Sequence, residues 1–89
     1  MKFRFSGTLL RFVDYRKEIA VEDAATVGSA LQSLVSQYPS LRGALFDADS
    51  KVRSTHRIVL NGEVLSREHT DRALFEHDRL EILTAIAGG

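Results

Sequence analysis

Strict alternation of apolar and polar residues opens the chain. Over residues 2–6, Phe3 and Phe5 fall on one face of an extended segment and charged or hydroxyl residues on the other, a period-two pattern that predicts a half-buried strand. A turn signal at residues 6–8 and an irregular apolar stretch follow, and a second alternating segment occupies residues 17–21. We expect these two strands to form a hairpin.

The most regular pattern of the chain is helical. Five apolar side chains recur with the spacing of one helix face: Val27, Leu31, Leu34, Val35 and Tyr38. Thr26, which precedes them, can accept a hydrogen bond from a first-turn amide, a contribution of about 1 kcal/mol. Pro39 closes the pattern. Leu41 and Leu45 predict one more short helical turn, and the polar residues 47–55 predict a mobile loop.

An Asn-Gly pair marks a second hairpin. Asn61 and Gly62 stand between two apolar runs, and the pair suits a two-residue type I′ turn because both residues of that turn need a positive φ. After this hairpin the sequence predicts a short packed turn at residues 73–75 and a chain reversal at residues 77–78. Residues 79–85 alternate again and predict a last strand.

The predicted order is strand, strand, helix, strand, short strand, strand. One main helix packed across a mixed sheet is an α+β architecture, and this order matches the ubiquitin-like β-grasp roll. In the last strand Leu80 and Ile82 are expected to face the helix. Strand alternation then sends Val59 and Leu83 to the helix-free face, where apolar side chains lack an internal partner. Our hypothesis is that Val59 and Leu83 form a partner-contact surface.

The last five residues differ from the rest of the chain. They carry no charge and no aromatic side chain and read Ala85-Ile86-Ala87-Gly88-Gly89. We therefore expect a flexible tail over residues 85–89 that projects from a single domain over residues 1–84. Five extended residues span about 16 Å, and glycines, which have no Cβ atom, can pass through a narrow channel. Such a tail could carry a terminal group into a deep site of another protein.

Composition narrows the possible functions. Twelve basic and twelve acidic residues balance without a run of either sign, which argues against nucleic acid or an anionic membrane as a partner and favours proteins. The hydrophobic content of 44% is that of a globular domain. No apolar stretch could span a bilayer, and the first residues lack an apolar signal core, so we expect a cytoplasmic protein. A chain of 89 residues leaves little room for an enclosed active site.

Candidate catalytic and metal-binding patterns are weak. The absence of cysteine excludes disulfides, thiolate metal sites and thiol nucleophiles. His56, His69 and His77 lack the spacing of a metal site. The segment Asp47-Ala48-Asp49 begins like a calcium-binding loop, but the glycine and the glutamate that such a loop needs further along are missing. No nucleophile-elbow motif occurs. We expect no metal site and no catalysis by the isolated chain.

Short motifs spread over nearly the whole chain carry a family resemblance. They are the Phe-Arg-Phe strand at 3–5, the Thr-Val-Gly helix start at 26–28, the Leu-Asn-Gly hairpin at 60–62, the His-Asp-Arg-Leu segment at 77–80 and the Ala-Ile-Ala-Gly-Gly ending. Together they resemble the MoaD/ThiS family of ubiquitin-like sulfur carriers. The ending is nearest to bacterial carriers of cysteine biosynthesis or specialised-metabolite sulfuration, although Thr84-Ala85 stands where that branch often has a proline. Only the terminal Gly-Gly is chemically specific.

The resemblance implies that the reactive group is the carboxylate of Gly89, with Gly88, Ala87 and Ile86 threading into a partner's site. A ubiquitin-activating-type adenylyltransferase and sulfurtransferase would use ATP and magnesium to convert this carboxylate to an acyl-adenylate and then to a thiocarboxylate. A sulfur-accepting biosynthetic enzyme would be the second partner, and a C-terminal processing protease a third. The chain itself would bind no cofactor and would serve as a protein co-substrate, not as an enzyme.

Two other functions stay open at this point. In a ubiquitin-like protein modifier, the same acyl-adenylate passes to a lysine amine and gives an isopeptide bond. In the small subunit of molybdopterin synthase, the tail docks permanently into a large subunit. The sequence also does not select among cysteine, a thiosugar, a thiazole and molybdopterin as the product that receives the sulfur.

Overall fold

The computed structural model describes residues 1–22, 24–66 and 70–84. In chain order the strands of this part of the chain are β1 (Lys2–Phe5), β2 (Glu18–Ala20), β3 (His56–Leu60), β4 (Glu63–Leu65) and β5 (Arg79–Thr84). They form one sheet in the order β2-β1-β5-β3-β4, in which β1 and β5 are parallel and the other neighbours are antiparallel. The last strand therefore lies at the centre of a mixed sheet.

The hairpin of β1 and β2 is confirmed, but the segment that joins the two strands is helical. Gly7–Val13 form a 3₁₀ helix that buries Leu9 and Val13. This helix ends where Asp14 adopts a positive φ of 56° and its N–H donates to the Leu10 carbonyl. The prediction of a turn and an irregular stretch was wrong here, because a short cluster of apolar residues has the period of neither a strand nor a long helix.

The main helix, α1 (Val27–Gln37), lies across one face of the sheet and begins as predicted. Ser29 N donates to Thr26 Oγ1 at 3.1 Å, and Thr26 N donates to Ser29 Oγ at 3.0 Å, so that two first-turn amides are satisfied reciprocally. The predicted face residues are buried, except that Tyr38 is half-buried. The second predicted helical turn is α2 (Leu41–Leu45).

The sheet and α1 share one hydrophobic core. Phe3 of β1 and Leu80 and Ile82 of β5 are fully buried there, which confirms the predicted orientation of the last strand. Burial of one such side chain stabilises the fold by roughly 1.5–3 kcal/mol. The central pair of parallel strands therefore carries much of the packing against the helix.

The turn between β3 and β4 has the geometry that the sequence predicted. Asn61 and Gly62 have φ values of 50° and 87°, as a type I′ turn requires. The turn fixes the register in which Leu60 pairs with Glu63 and Val59 with Val64. A one-residue shift of this register would turn the side chains of β4 to the opposite face.

The polar segment after α2 is a loop, and part of it closes onto the core. Asp47 Oδ1 accepts hydrogen bonds from the backbone N–H groups of Asp49, at 2.9 Å, and Lys51, at 3.1 Å. Phe46 pairs with Val52, and both side chains are buried. A single valine within a polar segment gives no periodic signal, so the sequence did not indicate this contact.

The segment before β5 is only partly the packed turn that was expected. Leu74 is buried as predicted, whereas Phe75 is 72% exposed, so the prediction for Phe75 was wrong. The chain then reverses as predicted, with Asp78 N donating to the Phe75 carbonyl at 3.0 Å.

None of the helices in the described ranges has the length and apolar character that crossing a membrane requires. The predicted tail, residues 85–89, lies outside the described residues, and so does His69. The last described residue is Thr84 at the end of β5.

Candidate functional site

The candidate reactive group, the carboxylate of Gly89, follows β5, which is the central strand of the sheet. Ile86, Ala87, Gly88 and Gly89 lie outside the described residues, so the site is described through the strand end that precedes them. β1 pairs with β5 only as far as Phe5 opposite Ile82, whereas β3 continues to pair with β5 to its last residue. The final two residues of β5 therefore have a strand neighbour on one side only within the described sheet.

His56, the first residue of β3, lies opposite Thr84 and is only 5% exposed. Its Nε2 is 2.6 Å from the carbonyl oxygen of Ala44, and its Nδ1 is 3.2 Å from Thr84 Oγ1. Because a carbonyl can only accept, Nε2 carries the proton and donates, and in the neutral ring Nδ1 accepts from the threonine hydroxyl. Both ring nitrogens are thus engaged by protein groups. His77, in contrast, is exposed in the turn before β5.

The helix-free face of the sheet contains the two predicted contact residues. Leu83 is 41% exposed, and Val59 is only 8% exposed although it lies outside the helix-side core cluster. Val64 pairs with Val59 across the β3–β4 hairpin and is 62% exposed. We call Val59, Val64 and Leu83 the apolar patch. Its accessible area comes from Leu83 and Val64, while Val59 is largely covered.

Val64 is a residue that the sequence reasoning missed. The signal was available, because a two-residue turn at Asn61 and Gly62 places Val59 opposite Val64 and directly opposite residues in an antiparallel pair share a face. The participation of His56 could not be found in this way, since its partners lie 12 and 28 residues away in sequence.

Arg57 is the charged neighbour of the apolar patch. It lies opposite Leu83 in the β3–β5 register. Its Nη1 donates to the carbonyl oxygens of Ser54, at 2.6 Å, and His56, at 3.0 Å. These bonds tie the guanidinium to the start of β3, where it places a positive charge at the border of the patch.

The other half of this face is polar. Arg4 lies between Glu18 and Glu81 in the strand register, and Lys2 forms an ion pair of 3.2 Å with Glu18. This pair is exposed, so it contributes little to stability. Charged side chains therefore occupy the β1–β2 half of this face, and the apolar patch lies in the other half, bordered by Arg57 and Glu81.

A second group of polar contacts surrounds Asp78, just before the first residue of β5. The pKa of Asp78 is lowered from its ordinary value, first because the side chain of Asn61 donates a hydrogen bond to it and second because the Phe75 backbone N–H does so. These bonds hold the turn before β5 and point away from the strand end at Thr84. Within the described ranges, no three histidine, cysteine or acidic side chains are placed to hold a metal ion.

Comparisons with known proteins agree with this architecture. Residues 3–89 match the sequence profile of the ThiS family. The chain is 32% identical over 91 residues to small archaeal modifier protein 3 of Haloferax volcanii, with 100% of this chain and 98% of that protein covered. This coverage includes the strand end at Thr84 and the residues that follow it.

Solved structures are similar over almost the full length. SAMP1 of Haloferax volcanii has a TM-score of 0.81 at 26% identity and covers 99% of this chain and 97% of its own. A chain of the BexX/CysO complex of Amycolatopsis orientalis has a TM-score of 0.84 at 21% identity, with 99% and 98% covered, and shows the shared fold. The predicted ubiquitin-like β-grasp fold is confirmed.

Proposed function

The chain belongs to the ThiS family of ubiquitin-like carrier and modifier proteins, and on this basis we propose that it is a sulfur carrier whose Gly89 carboxylate becomes a thiocarboxylate. The observation that carries the proposal is that the family match runs through residue 89, and so includes the terminal Gly-Gly. In this proposal Gly89 is the C-terminal residue, whether encoded or exposed by a processing protease.

The chemistry follows from the properties of a terminal carboxylate. Its unperturbed pKa of about 3.3–3.7 makes it an anion at neutral pH, which can attack the α-phosphate of ATP but resists attack by a nucleophile. Adenylation by a ubiquitin-activating-type partner, with magnesium, releases pyrophosphate and gives a mixed anhydride. Sulfide sulfur then attacks the acyl carbon and AMP leaves. The chain itself supplies no catalytic group to these two reactions, so it acts as a protein co-substrate.

The geometry of the sheet suits such a co-substrate. The five residues that follow Thr84 span at most about 16–18 Å, so a partner must bind the domain close to the end of β5 in order to reach Gly89. Leu83 of the apolar patch lies at that end and immediately precedes Thr84, and the patch continues away from it through Val59, opposite Glu81, to Val64 on β4. We propose that Leu83 and Val64, with the largely covered Val59, contact the activating enzyme and the sulfur-accepting biosynthetic enzyme.

In this proposal all binding partners of the chain are proteins. The activating enzyme, the acceptor enzyme and, where needed, a protease would each recognise the folded domain, and neither nucleic acid nor a membrane surface has a role. ATP and magnesium would be bound by the activating enzyme. All of these steps take place in the cytoplasm in our proposal.

A second function has a specific observation in its favour. The 32% identity to small archaeal modifier protein 3 covers the whole of this chain. In a modifier, a lysine amine of a target protein attacks the same acyl-adenylate, an amide bond forms and AMP leaves. The two functions share the activation step and differ in the nucleophile that follows it.

Intact mass spectrometry tests the two functions directly. The protein is purified from its own host, and separately incubated with a candidate activating enzyme, ATP and a sulfide source. A mass gain equal to the replacement of one oxygen by one sulfur, absent after deletion of Gly89, supports the carrier. An unchanged mass under all these conditions, together with covalent ladders on other proteins that require Gly89, overturns the carrier in favour of the modifier.

A further inference from the structure

His56 is the one buried polar side chain among residues 1–22, 24–66 and 70–84. Its two hydrogen bonds join three separate segments: α2 through the Ala44 carbonyl, the start of β3, and the end of β5 through the Thr84 hydroxyl. A buried imidazole is costly unless both nitrogens have partners, and here both do. The ring therefore acts as a bridge from the body of the domain to the last residue of the sheet.

The end of β5 is the place where such a bridge matters. The pairing of β1 ends opposite Ile82, so within the described sheet Leu83 and Thr84 are held by β3 alone. A strand end with one neighbour opens more easily than the strand interior. The hydrogen bond between Thr84 and His56 adds a side-chain link at this last pair.

We propose that His56 is a positioning residue that, through Thr84, fixes the point at which the chain leaves the domain toward Gly89. The inference rests on the proposed carrier function. If the last pair opens, Leu83 and Thr84 leave the described sheet, and the reach of the chain beyond its last described pair grows by about 7 Å. Leu83 then also leaves the apolar patch. The link thus fixes the position, relative to the docking face, from which the residues that lead to Gly89 begin.

A pre-organised strand end lowers the cost of docking. Without the link, the activating enzyme must order Leu83 and Thr84 at the moment of binding, and this ordering reduces the apparent affinity. The cost applies equally to the bound complex and to its transition state, so it raises KM and leaves kcat unchanged. A residue with a purely structural role would lower thermal stability without changing KM at a temperature where the domain is folded.

The test compares Thr84→Val with Thr84→Ser. Valine keeps the shape and has a high strand propensity, but it lacks the hydroxyl, whereas serine keeps the hydroxyl. Thr55→Val serves as the matched control, because Thr55 is an exposed residue just before β3. The steady-state rate of thiocarboxylate formation is measured against the concentration of each carrier variant, with the activating enzyme, ATP and sulfide held constant.

We expect Thr84→Val to raise KM by about 3- to 10-fold, the range that the loss of one hydrogen bond gives, with kcat unchanged. Thr84→Ser and Thr55→Val should behave as the wild type. His56→Leu, which removes both ring nitrogens, should raise KM at least as far as Thr84→Val, and the double variant should be no worse than His56→Leu alone. Should His56→Leu fail to fold, the threonine pair decides alone. A wild-type KM for Thr84→Val overturns the inference.

Amide hydrogen exchange on the free protein separates this inference from the proposed function. Faster exchange in Thr84→Val at Leu83, whose N–H faces β3 in the β3–β5 register, with unchanged exchange at the core amide of Ile82, supports the positioning role even if wild-type protein is never sulfurated. Unchanged exchange at Leu83 contradicts it. A wild-type chain that gains no sulfur would overturn the carrier proposal and leave the strand-end result standing.

Discussion

Asn61 and Asp78 join two turns that are 17 residues apart in sequence, with Asn61 Nδ2 donating to Asp78 Oδ1 at 2.9 Å. The remaining side-chain oxygens of the pair are also used. Asn61 Oδ1 accepts from Arg79 N at 2.9 Å, and Asp78 Oδ2 accepts from Phe75 N at 2.8 Å. The turn between β3 and β4 is therefore tied to the start of β5, the strand that leads to the candidate site.

This network predicts a pH dependence of stability. The hydrogen bonds lower the pKa of Asp78 in the folded protein below its ordinary value of 3.8, so the charged form is the one that the fold favours. The contribution is fully present above 3.8 and is lost as the pH falls through the lowered folded-state pKa. We expect the difference in unfolding free energy between the wild type and Asp78→Asn to shrink as the solution becomes more acidic.

Urea unfolding followed by circular dichroism, over about pH 6 to pH 2, measures this difference. Asp71→Asn is the control, because Asp71 is an exposed carboxylate in the turn between β4 and β5. If the difference in unfolding free energy between the wild type and Asp78→Asn stays constant over the whole pH range, the lowered pKa of Asp78 is contradicted.

Two glycines should respond to alanine in opposite directions. Gly62 has a φ of 87° with no atom near the position of a Cβ, and Gly43 lies within α2, also with open space around it. Alanine at position 62 would have to adopt this left-handed backbone, which lowers the free energy of unfolding by about 1–2 kcal/mol. Alanine at 43 restricts the unfolded chain and favours the helix, with a gain of about 0.4–1 kcal/mol. Denaturant midpoints that shift in the same direction for both variants would refute this reading of the two backbones.

The parts of the fold that the sequence predicted are those with a local cause. The α1 boundary follows from the hydroxyl of Thr26 and the stop at Pro39, and the β3–β4 turn follows from the positive φ that Asn61 and Gly62 tolerate. Each signal is contained within a few neighbouring residues. The order of such elements was enough to indicate the ubiquitin-like roll.

The features that the sequence did not predict depend on distant partners. Val52 is buried because Phe46 pairs with it, and His56 is buried because Ala44 and Thr84 meet its ring. No local period encodes such contacts. The choice of Gly89 as the reactive residue came from the family resemblance and not from any pattern of charge or spacing.

The reciprocal cap of α1 makes a prediction about helix stability. Thr26→Ala leaves the Ser29 amide without its acceptor and should cost about 1 kcal/mol, which lowers Tm by roughly 4–8 °C in a domain of this size. Thr26→Ser keeps the acceptor and should retain most of the stability. Ser36→Ala, at an exposed position within α1, is the matched control and should be neutral or slightly stabilising because of helix propensity. Thermal unfolding followed by circular dichroism distinguishes these variants, and equal Tm values for Thr26→Ala and the wild type would show that the cap is not used.

The apolar patch gives a prediction about partner recognition. Leu83→Glu replaces an apolar side chain of the proposed contact with a carboxylate opposite Arg57, and burying this charge against a partner is costly, so we expect KM for thiocarboxylate formation to rise about tenfold or more. Ala20→Glu adds the same charge to the same sheet at an exposed position on β2 and should leave KM unchanged. Leu83 is partly exposed, so thermal unfolding of both variants is measured beside the kinetics to establish that the domain is intact. If folded Leu83→Glu is sulfurated at the full wild-type rate, Leu83 is not part of the surface that the activating enzyme binds, and the proposed contact at the apolar patch is wrong.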